Sequence, residues 1–430
     1  MTDAPGAGPL GRVPSVGDRM RLTIERAAHG GHCVGRHDGR VVFVRHALPG
    51  ETVDVVVTGQ GAKGRYLRAD VEAVVEPSPD RVEPACAHAR PGGCGGCDWQ
   101  HAALPAQRAI KAGILREQLH RLGGVDVIDG VPLDRAVDVE AVPGDVAGLS
   151  WRTRVRYAVT PDGRTGFRRH RSHAVEVVER CPLVTDAVDG VGVTRTTWPG
   201  AEEIEVVAGS GGDRAVLVEP ATAARTTGLD PDVAVRGLRG RTWVREVAGG
   251  REWRVQSAGF WQVHPGAADT LVTAVREVLA PRPGEHLLDL YAGVGLFAGC
   301  LAAGLGPEGR VDAVEASVGA CRDARRNLHD LPQVRIHQGD VAAWLASGAI
   351  DTVDVVVLDP PRSGAGAAVL DRVLDLAPRA IAYVACDPAA LGRDVGFLRA
   401  AGWRLASVRG FDLFPMTQHV EAVALVLPPA

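Results

Sequence analysis

Lysine and asparagine are almost missing from this sequence. Lys63 and Lys111 are the only lysines among 430 residues, and Asn327 is the only asparagine. Arginine, alanine, glycine and valine are abundant, a skew that looks like a GC-rich coding bias. Overall arginine content therefore carries little functional weight, and only its local clustering does. No apolar run approaches the roughly 20 residues that span a bilayer; TVDVVVL at 352–358 is among the longest, so no membrane association is expected. The opening MTDAPGAGPLG has neither a basic stretch nor an apolar core, so no secretory signal is read and a cytoplasmic protein is expected. A net charge of -4 supplies no global basic field to draw the chain to nucleic acid. With 46% apolar and 23% charged residues, the chain is neither disordered, collagen-like nor a small disulfide scaffold.

What the sequence does contain changes along its length. Residues 1–14 are rich in Gly and Pro and are expected to be disordered. Over 15–78, short β-like runs (DRMRLTIERAA, RVVFVRHAL, TVDVVVTGQ, RYLRADVEAVV) separated by Gly-rich turns predict a small β-barrel. A central region, 79–262, opens with PACAHARPGGCGGCDWQH, too glycine-rich for a regular element, and continues with a helix predicted over 103–124. Its remainder, 125–260, is mixed and resists ordering. From 263 to 430, apolar strands (HLLDLYAG, RVDAVEAS, VDVVVLDPP, AIAYVACDP) alternate with helical stretches, which predicts an α/β domain with a parallel sheet covered by helices on both faces.

That last region carries the chemistry. LLDLYAGVGLF is a strand, a glycine turn and a helix, in which Gly293 and Gly295 let the backbone approach a ligand. A tight strand–helix turn is the bland alternative. Glu315 closes the next strand about 20 residues on, where a carboxylate accepts both ribose hydroxyls. Asp340 follows another short strand, at the usual distance for an adenine contact. No lysine follows the glycines, which excludes a P-loop. Asp359 in VLDPPRSG and Cys386 in VACDPAALGRD end two later strands at the sheet edge where open α/β sheets bind ligands. Asp387-Pro388 reads as N-cap then N1, so the Cys386 thiol at a helix start is expected to have a lowered pKa and to act as nucleophile. Glu421 opens the last strand, either as a solvated edge charge or as a general base near Cys386.

Taken together, GFWQVHPGAADTL, LLDLYAGVGLF, VLDPPRSG, VACDPAALGRD and HVEAVALV resemble, in order, the RNA (uracil-5-)methyltransferase family of tRNA and large-subunit rRNA. HGGHCVGRHDGRVVFVRHALPGE looks like its TRAM domain, an OB-like RNA-binding barrel, and CGGCDWQH resembles its iron–sulfur segment. The resemblance implies a C-terminal class I, Rossmann-like methyltransferase domain binding S-adenosylmethionine (SAM) through Gln262, Tyr291, Glu315, Asp340 and Asp359. It implies Cys386 as the nucleophile that adds to uracil C6 and Glu421 as the base that removes the C5 proton. RNA is the expected partner, and a monomer the expected state. The chain departs from the family pattern at His264, Leu296 and Gly392.

Cys86, Cys94 and Cys97, with Cys181 far along the chain, offer four thiolates for a metal. Spacing slightly favours zinc, whereas the resemblance implies a [4Fe–4S] cluster. Cys33, Cys300 and Cys321 read as packing thiols. Finally, WRTRVRYAVTPDGRTGFRRHRSH at 151–173 carries Arg152, Arg154, Arg156, Arg164, Arg168, Arg169 and Arg171, with Trp151, Tyr157 and Phe167 among them. This pattern predicts phosphate contacts with base stacking; a solvated strand is the alternative. Two other functions remain open on the residues alone: a SAM-dependent amino-methyltransferase, which needs no thiol, and a non-catalytic iron–sulfur RNA sensor.

Overall fold

The computed structural model describes residues 13–429, so the disorder expected of the first 14 residues concerns positions that, up to residue 12, lie outside the described ones. The chain divides into two compact units. The first holds a closed barrel of five strands, Arg19–Ala28, His32–His37, Arg40–Arg45, Thr52–Gln60 and Tyr66–Glu76, with the last two exchanged in spatial order. The strand Arg19–Ala28 shows why it forms: Met20, Leu22 and Ile24 point into the barrel while Arg19 and Arg21 point out and pair with Glu72 and Asp54. Four of the five strands are visible as β-like runs in the sequence. The fifth, His32–His37, is short and contains Gly35, where any Cβ would stand 2.9 Å from the Thr23 carbonyl oxygen. The glycine that obscures the strand in the sequence is required by its close pairing.

The second unit is organised by an eight-stranded sheet in the order Val334–Gln338, Arg310–Glu315, His286–Leu290, Val355–Leu358, Ala380–Ala385, Glu421–Leu427, Arg404–Asp412 and Val139–Ala141. The first five strands are parallel; the four from Arg310–Glu315 to Ala380–Ala385 are largely buried and mostly apolar, while the edge strand Val334–Gln338 is partly exposed. The all-parallel expectation is corrected at Glu421–Leu427, which runs antiparallel to both neighbours. This reversal matters for function, because it brings the first residue of that strand to the edge where the parallel strands end.

The region that resisted ordering holds the antiparallel strands Arg154–Val159, Glu203–Ala208 and Arg214–Glu219 and a separate hairpin, Trp243–Ala248 with Arg251–Gln256. The departure at Gly392 also has a physical reason. In the helix Pro388–Ala400, Cβ atoms on Gly392 and Gly396 would each lie 2.6 Å from a carbonyl oxygen, of Gln118 and Leu122 respectively, so glycine permits this close helix–helix crossing.

Candidate active site

The strand His286–Leu290 ends in a turn where Tyr291 takes a left-handed backbone, φ 66°, unusual for a non-glycine residue and typical of strained ligand sites. Gly293 also has positive φ, and a Cβ there would meet nothing within 4 Å, which leaves open space over the turn. Glu315 is fixed facing this turn, because Gly293 N–H and Ser317 N–H donate to its two oxygens at 2.9 and 2.6 Å. Each oxygen keeps a second lone pair for a hydroxyl ligand. Asp340 caps the helix Val341–Ala346 by accepting from Ala343 N–H at 2.9 Å, so one of its oxygens has a structural task. Gln262 is half-buried, and its side-chain amide makes no hydrogen bond among the described residues. An open glycine cradle, an oriented carboxylate and an unengaged amide fit a nucleoside-bearing cofactor.

The reactive groups gather further along the same edge. Asp387 caps the helix Pro388–Ala400, accepting from Ala390 N–H at 2.8 Å, with Pro388 in its first turn as expected. The register that pairs Ala385 with Ala422 continues to place Cys386 opposite Glu421 across two antiparallel strands. Glu421 is 3% exposed, whereas Cys386 and Asp359 are half-buried. Burial, and then the Asp359 charge, hold the Glu421 carboxyl well above the usual carboxylate range. Burial lifts Asp359 to about 7. The lowered thiol pKa expected of Cys386 is corrected: burial, followed by the charges of Glu421 and Asp359, pushes it up to about 12, and Arg362 opposes them. The helix start is outweighed because the thiol faces two carboxyl groups away from water.

Three features of this site are not read from the sequence. Asp289, fully buried, accepts from Ala298 N–H at 2.8 Å, leaves its other oxygen without a partner, and is lifted to about 8 by burial. Arg362, from the DPPR turn, is the cation opposing the two carboxylates. Asp394 accepts from Tyr383 O–H at 2.5 Å, Ala365 N–H at 2.7 Å and Gly366 N–H at 3.3 Å, which ties the loop carrying Asp359 and Arg362 to the helix after Cys386. Only the spacing G-R-D within that helix hints at it.

The cysteine cluster receives no structural support. Among the described residues, no three Cys, His, Asp or Glu side chains are arranged to hold a metal. Cys86, Cys94 and Cys97 belong to the first unit and Cys181 to the second. Gln100 accepts from Cys86 N–H at 3.1 Å and donates to Cys97 Sγ at 3.2 Å. Cys33, Cys300 and Cys321 are buried packing thiols.

The arginine-rich segment is also corrected in part. Arg154 is buried, donating to Gly259 O at 2.6 Å and pairing with Glu246 at 3.4 Å, while Trp151 and Tyr157 are core residues. Arg156, Arg164 and Arg169 pair with Glu205, Asp162 and Glu176. Alternation along the strand turns Val155 and Tyr157 inward, whereas Arg154, on the same face as the exposed Arg156, is buried by its partners Glu246 and Gly259. A second aromatic feature has no signature in the sequence. On the first unit, His170, His32, Phe43 and Tyr66 form a row of edge-to-face contacts with centroid spacings of 6.0, 6.3 and 5.4 Å, and Arg68 lies over the Tyr66 ring at 5.0 Å. Such rows of partly exposed rings beside arginines form stacking platforms for single-stranded nucleic acid.

Comparison with known proteins bears on this geometry. Residues 15–71 match the TRAM domain, and residues 346–427 match the tRNA (Uracil-5-)-methyltransferase family. An uncharacterized RNA methyltransferase of Streptomyces avermitilis is 47% identical over 96% of this chain and 99% of its own length. The 23S rRNA (uracil(1939)-C(5))-methyltransferase RlmD of Pseudomonas fluorescens is 32% identical over 98% of this chain and 97% of its own. Among solved structures, the tRNA (uracil-54, C5)-methyltransferase of Pyrococcus abyssi, in complex with S-adenosyl-L-homocysteine, superposes with a TM-score of 0.70 at 22% identity, covering 95% of this chain and 100% of that one. This last likeness establishes the fold.

Proposed function

The chain belongs to the RNA (uracil-5-)methyltransferase family and is a SAM-dependent enzyme, and on that premise we propose that it methylates C5 of one uridine in structured RNA, tRNA or large-subunit rRNA, by covalent catalysis through Cys386. The observation that carries this reading is the register placing Cys386 opposite Glu421 beside Asp359. Uracil C5 is too weak a nucleophile to take a methyl group unaided. SAM, when bound, supplies that methyl on a cationic sulfonium. The thiol proton of Cys386 must leave first, and Asp359, lifted to about 7, is matched to hold it. Cys386 Sγ then bonds to C6, and the displaced electron pair makes C5 an enolate carbon that accepts the methyl. Glu421, a strong base once ionised in its buried position, removes the C5 proton; the C5–C6 double bond re-forms and the C6–S bond breaks, returning the thiolate.

Gln262, Tyr291, Glu315 and Asp340 are proposed to hold the cofactor around the open turn at Gly293. The ring row His170–His32–Phe43–Tyr66 is proposed to stack unpaired bases, and the target uridine must be extruded to reach a thiol at the sheet edge. A [4Fe–4S] cluster on Cys86, Cys94, Cys97 and Cys181 is proposed on sequence resemblance alone. Anaerobically purified protein should then carry about four irons per chain; zinc or no metal removes it. The amino-methyltransferase reading is disfavoured by the facing Cys386 and Glu421. The test is nucleoside mass spectrometry of unmodified tRNA and rRNA transcripts incubated with the protein and SAM. Formation of 5-methyluridine is expected, and methylated adenosine in its place would overturn the assignment.

A further inference from the structure

We propose that the face built from the helix Val318–Asn327 and the hairpin Trp243–Ala248/Arg251–Gln256 is a docking surface for the phosphate backbone of the RNA substrate, additional to the barrel. The proposal rests on the RNA-methylating function above. Two adjoining cavities mark this face, one of about 440 Å³ along the helix and one of about 400 Å³ between helix and hairpin, and both are lined by Arg326 and His329.

The charges on this face are only partly compensated. Arg245 pairs with Asp213 at 2.9 Å, Arg251 with Asp330 at 2.7 Å and Arg254 with Asp323 at 3.4 Å. Arg241, Arg322, Arg325 and Arg326 have no carboxylate within ion-pair distance among the described residues; Arg325 reaches only the Ile336 carbonyl, at 3.3 Å. Arg322, Arg325 and Arg326 are spaced i, i+3 and i+4 and are all exposed, so they stand on one helix face and repel one another. Asp323 attracts Arg322 and Arg326 at longer range, and Arg325 and Arg326 suit the C-terminal turn of the helix, so the repulsion is offset only in part. Trp243 carries Arg241 and Arg254 over its ring, each guanidinium 4.7 Å from the centroid, and of the two Arg254 lines the cavity between helix and hairpin.

The occupant follows from charge and extent. The uncompensated arginines are spread over both sides of this face: on the helix Arg322, Arg325 and Arg326 cover one turn, roughly 6 Å at 1.5 Å per residue, and Arg241 stands beside the hairpin over Trp243, so more than one phosphate group is needed to meet them. A chain of phosphates matches this distribution. The helix also starts directly after Glu315, at the sheet edge where Cys386 lies, so a strand leaving the active site can follow it.

The test compares full-length wild type with R322A/R325A/R326A, binding a uridine-rich single-stranded RNA oligonucleotide and bulk tRNA across a salt series. Alanine favours helix, so the variant should fold, which circular dichroism checks; R326E provides a second variant with a single change. The triple variant should bind RNA more weakly, with the slope of log K against log salt flattened by up to roughly 0.7 for each phosphate no longer neutralised. Affinity for SAM should stay at the wild-type value. Wild-type affinity and slope in both variants overturn the surface while leaving the enzymatic function standing. A wild-type protein that binds neither RNA overturns both.

Discussion

Replacing Asp394 should show how much of the active site depends on a residue that need not touch substrate. Its carboxylate gathers three donors, Tyr383 O–H, Ala365 N–H and Gly366 N–H, at 2.5, 2.7 and 3.3 Å, at a position 5% exposed. Alanine leaves those donors in a space with little water, at about 1–3 kcal/mol for each buried unsatisfied group. Relaxation makes such losses less than additive, so about 3–5 kcal/mol is expected for Asp394→Ala, as for other broken buried networks. Asp394→Asn keeps an acceptor but loses the charge and should cost about half as much. Tyr383→Phe removes one donor and should cost about 1 kcal/mol, with a coupling of about 0.5–3 kcal/mol to Asp394 in a double-mutant cycle. Because the tethered loop carries Asp359 and Arg362, kcat for methyl transfer should fall more than SAM affinity, with partial rescue in the Asn variant. Urea denaturation and single-turnover methylation measure these effects. An Asp394→Ala protein within about 0.5 kcal/mol of wild type, with normal kcat, would refute the tether.

Glu421→Gln should bind SAM and RNA but stall after methylation and accumulate a denaturation-resistant RNA adduct on gels, since an amide cannot take the C5 proton; fast, adduct-free turnover would place the base elsewhere. Asp289→Asn tests the buried carboxyl by its pH signature. The folded-state pKa of Asp289, about 8, lies above its ordinary 3.8, so its protonated form favours the fold below pH 3.8 and that contribution is lost as pH rises through 8. The Asn variant does not titrate, so its stability relative to wild type should grow between about pH 5 and pH 8 by a few kcal/mol. A difference independent of pH would show that the group is not held neutral. Tyr66→Ala on the barrel should weaken binding of single-stranded RNA by about 1–3 kcal/mol if bases stack on the ring row, and unchanged affinity in fluorescence anisotropy would leave the row without a role.

The methyltransferase unit is legible because its strands are continuous apolar runs ending in residues that apolar strands do not need, Asp359, Cys386 and Glu421. What periodicity cannot give is direction. Nothing in HVEAVALVL says that the strand runs antiparallel, yet that reversal brings Glu421 to the thiol. The thiol pKa departs from expectation for a related reason. A helix start is local and visible in sequence, whereas the burial that overrules it, with the Glu421 and Asp359 charges behind it, comes from chain segments distant in sequence. The arginines of 151–173 show the limit of composition, since Arg154 looks like its neighbours until Glu246, 92 residues away, is seen to take its charge. The ring row escapes notice because His32, Phe43, Tyr66 and His170 come from four separate stretches of chain and meet only after folding.

The central claim, that Cys386 attacks C6 of a uridine that is then methylated at C5, is tested most directly by substituting the hydrogen that Glu421 must remove. RNA methylated by the protein is prepared with 5-fluorouridine at the target position and incubated with enzyme and SAM, and the mixture is resolved under denaturing conditions. A covalent protein–RNA complex should form, with peptide mass spectrometry locating the bond on Cys386 and a methyl group on the trapped base, and Cys386→Ala should form none. Methylation of the uridine RNA without any adduct to its fluorinated counterpart, or an adduct that persists in Cys386→Ala, would contradict the account.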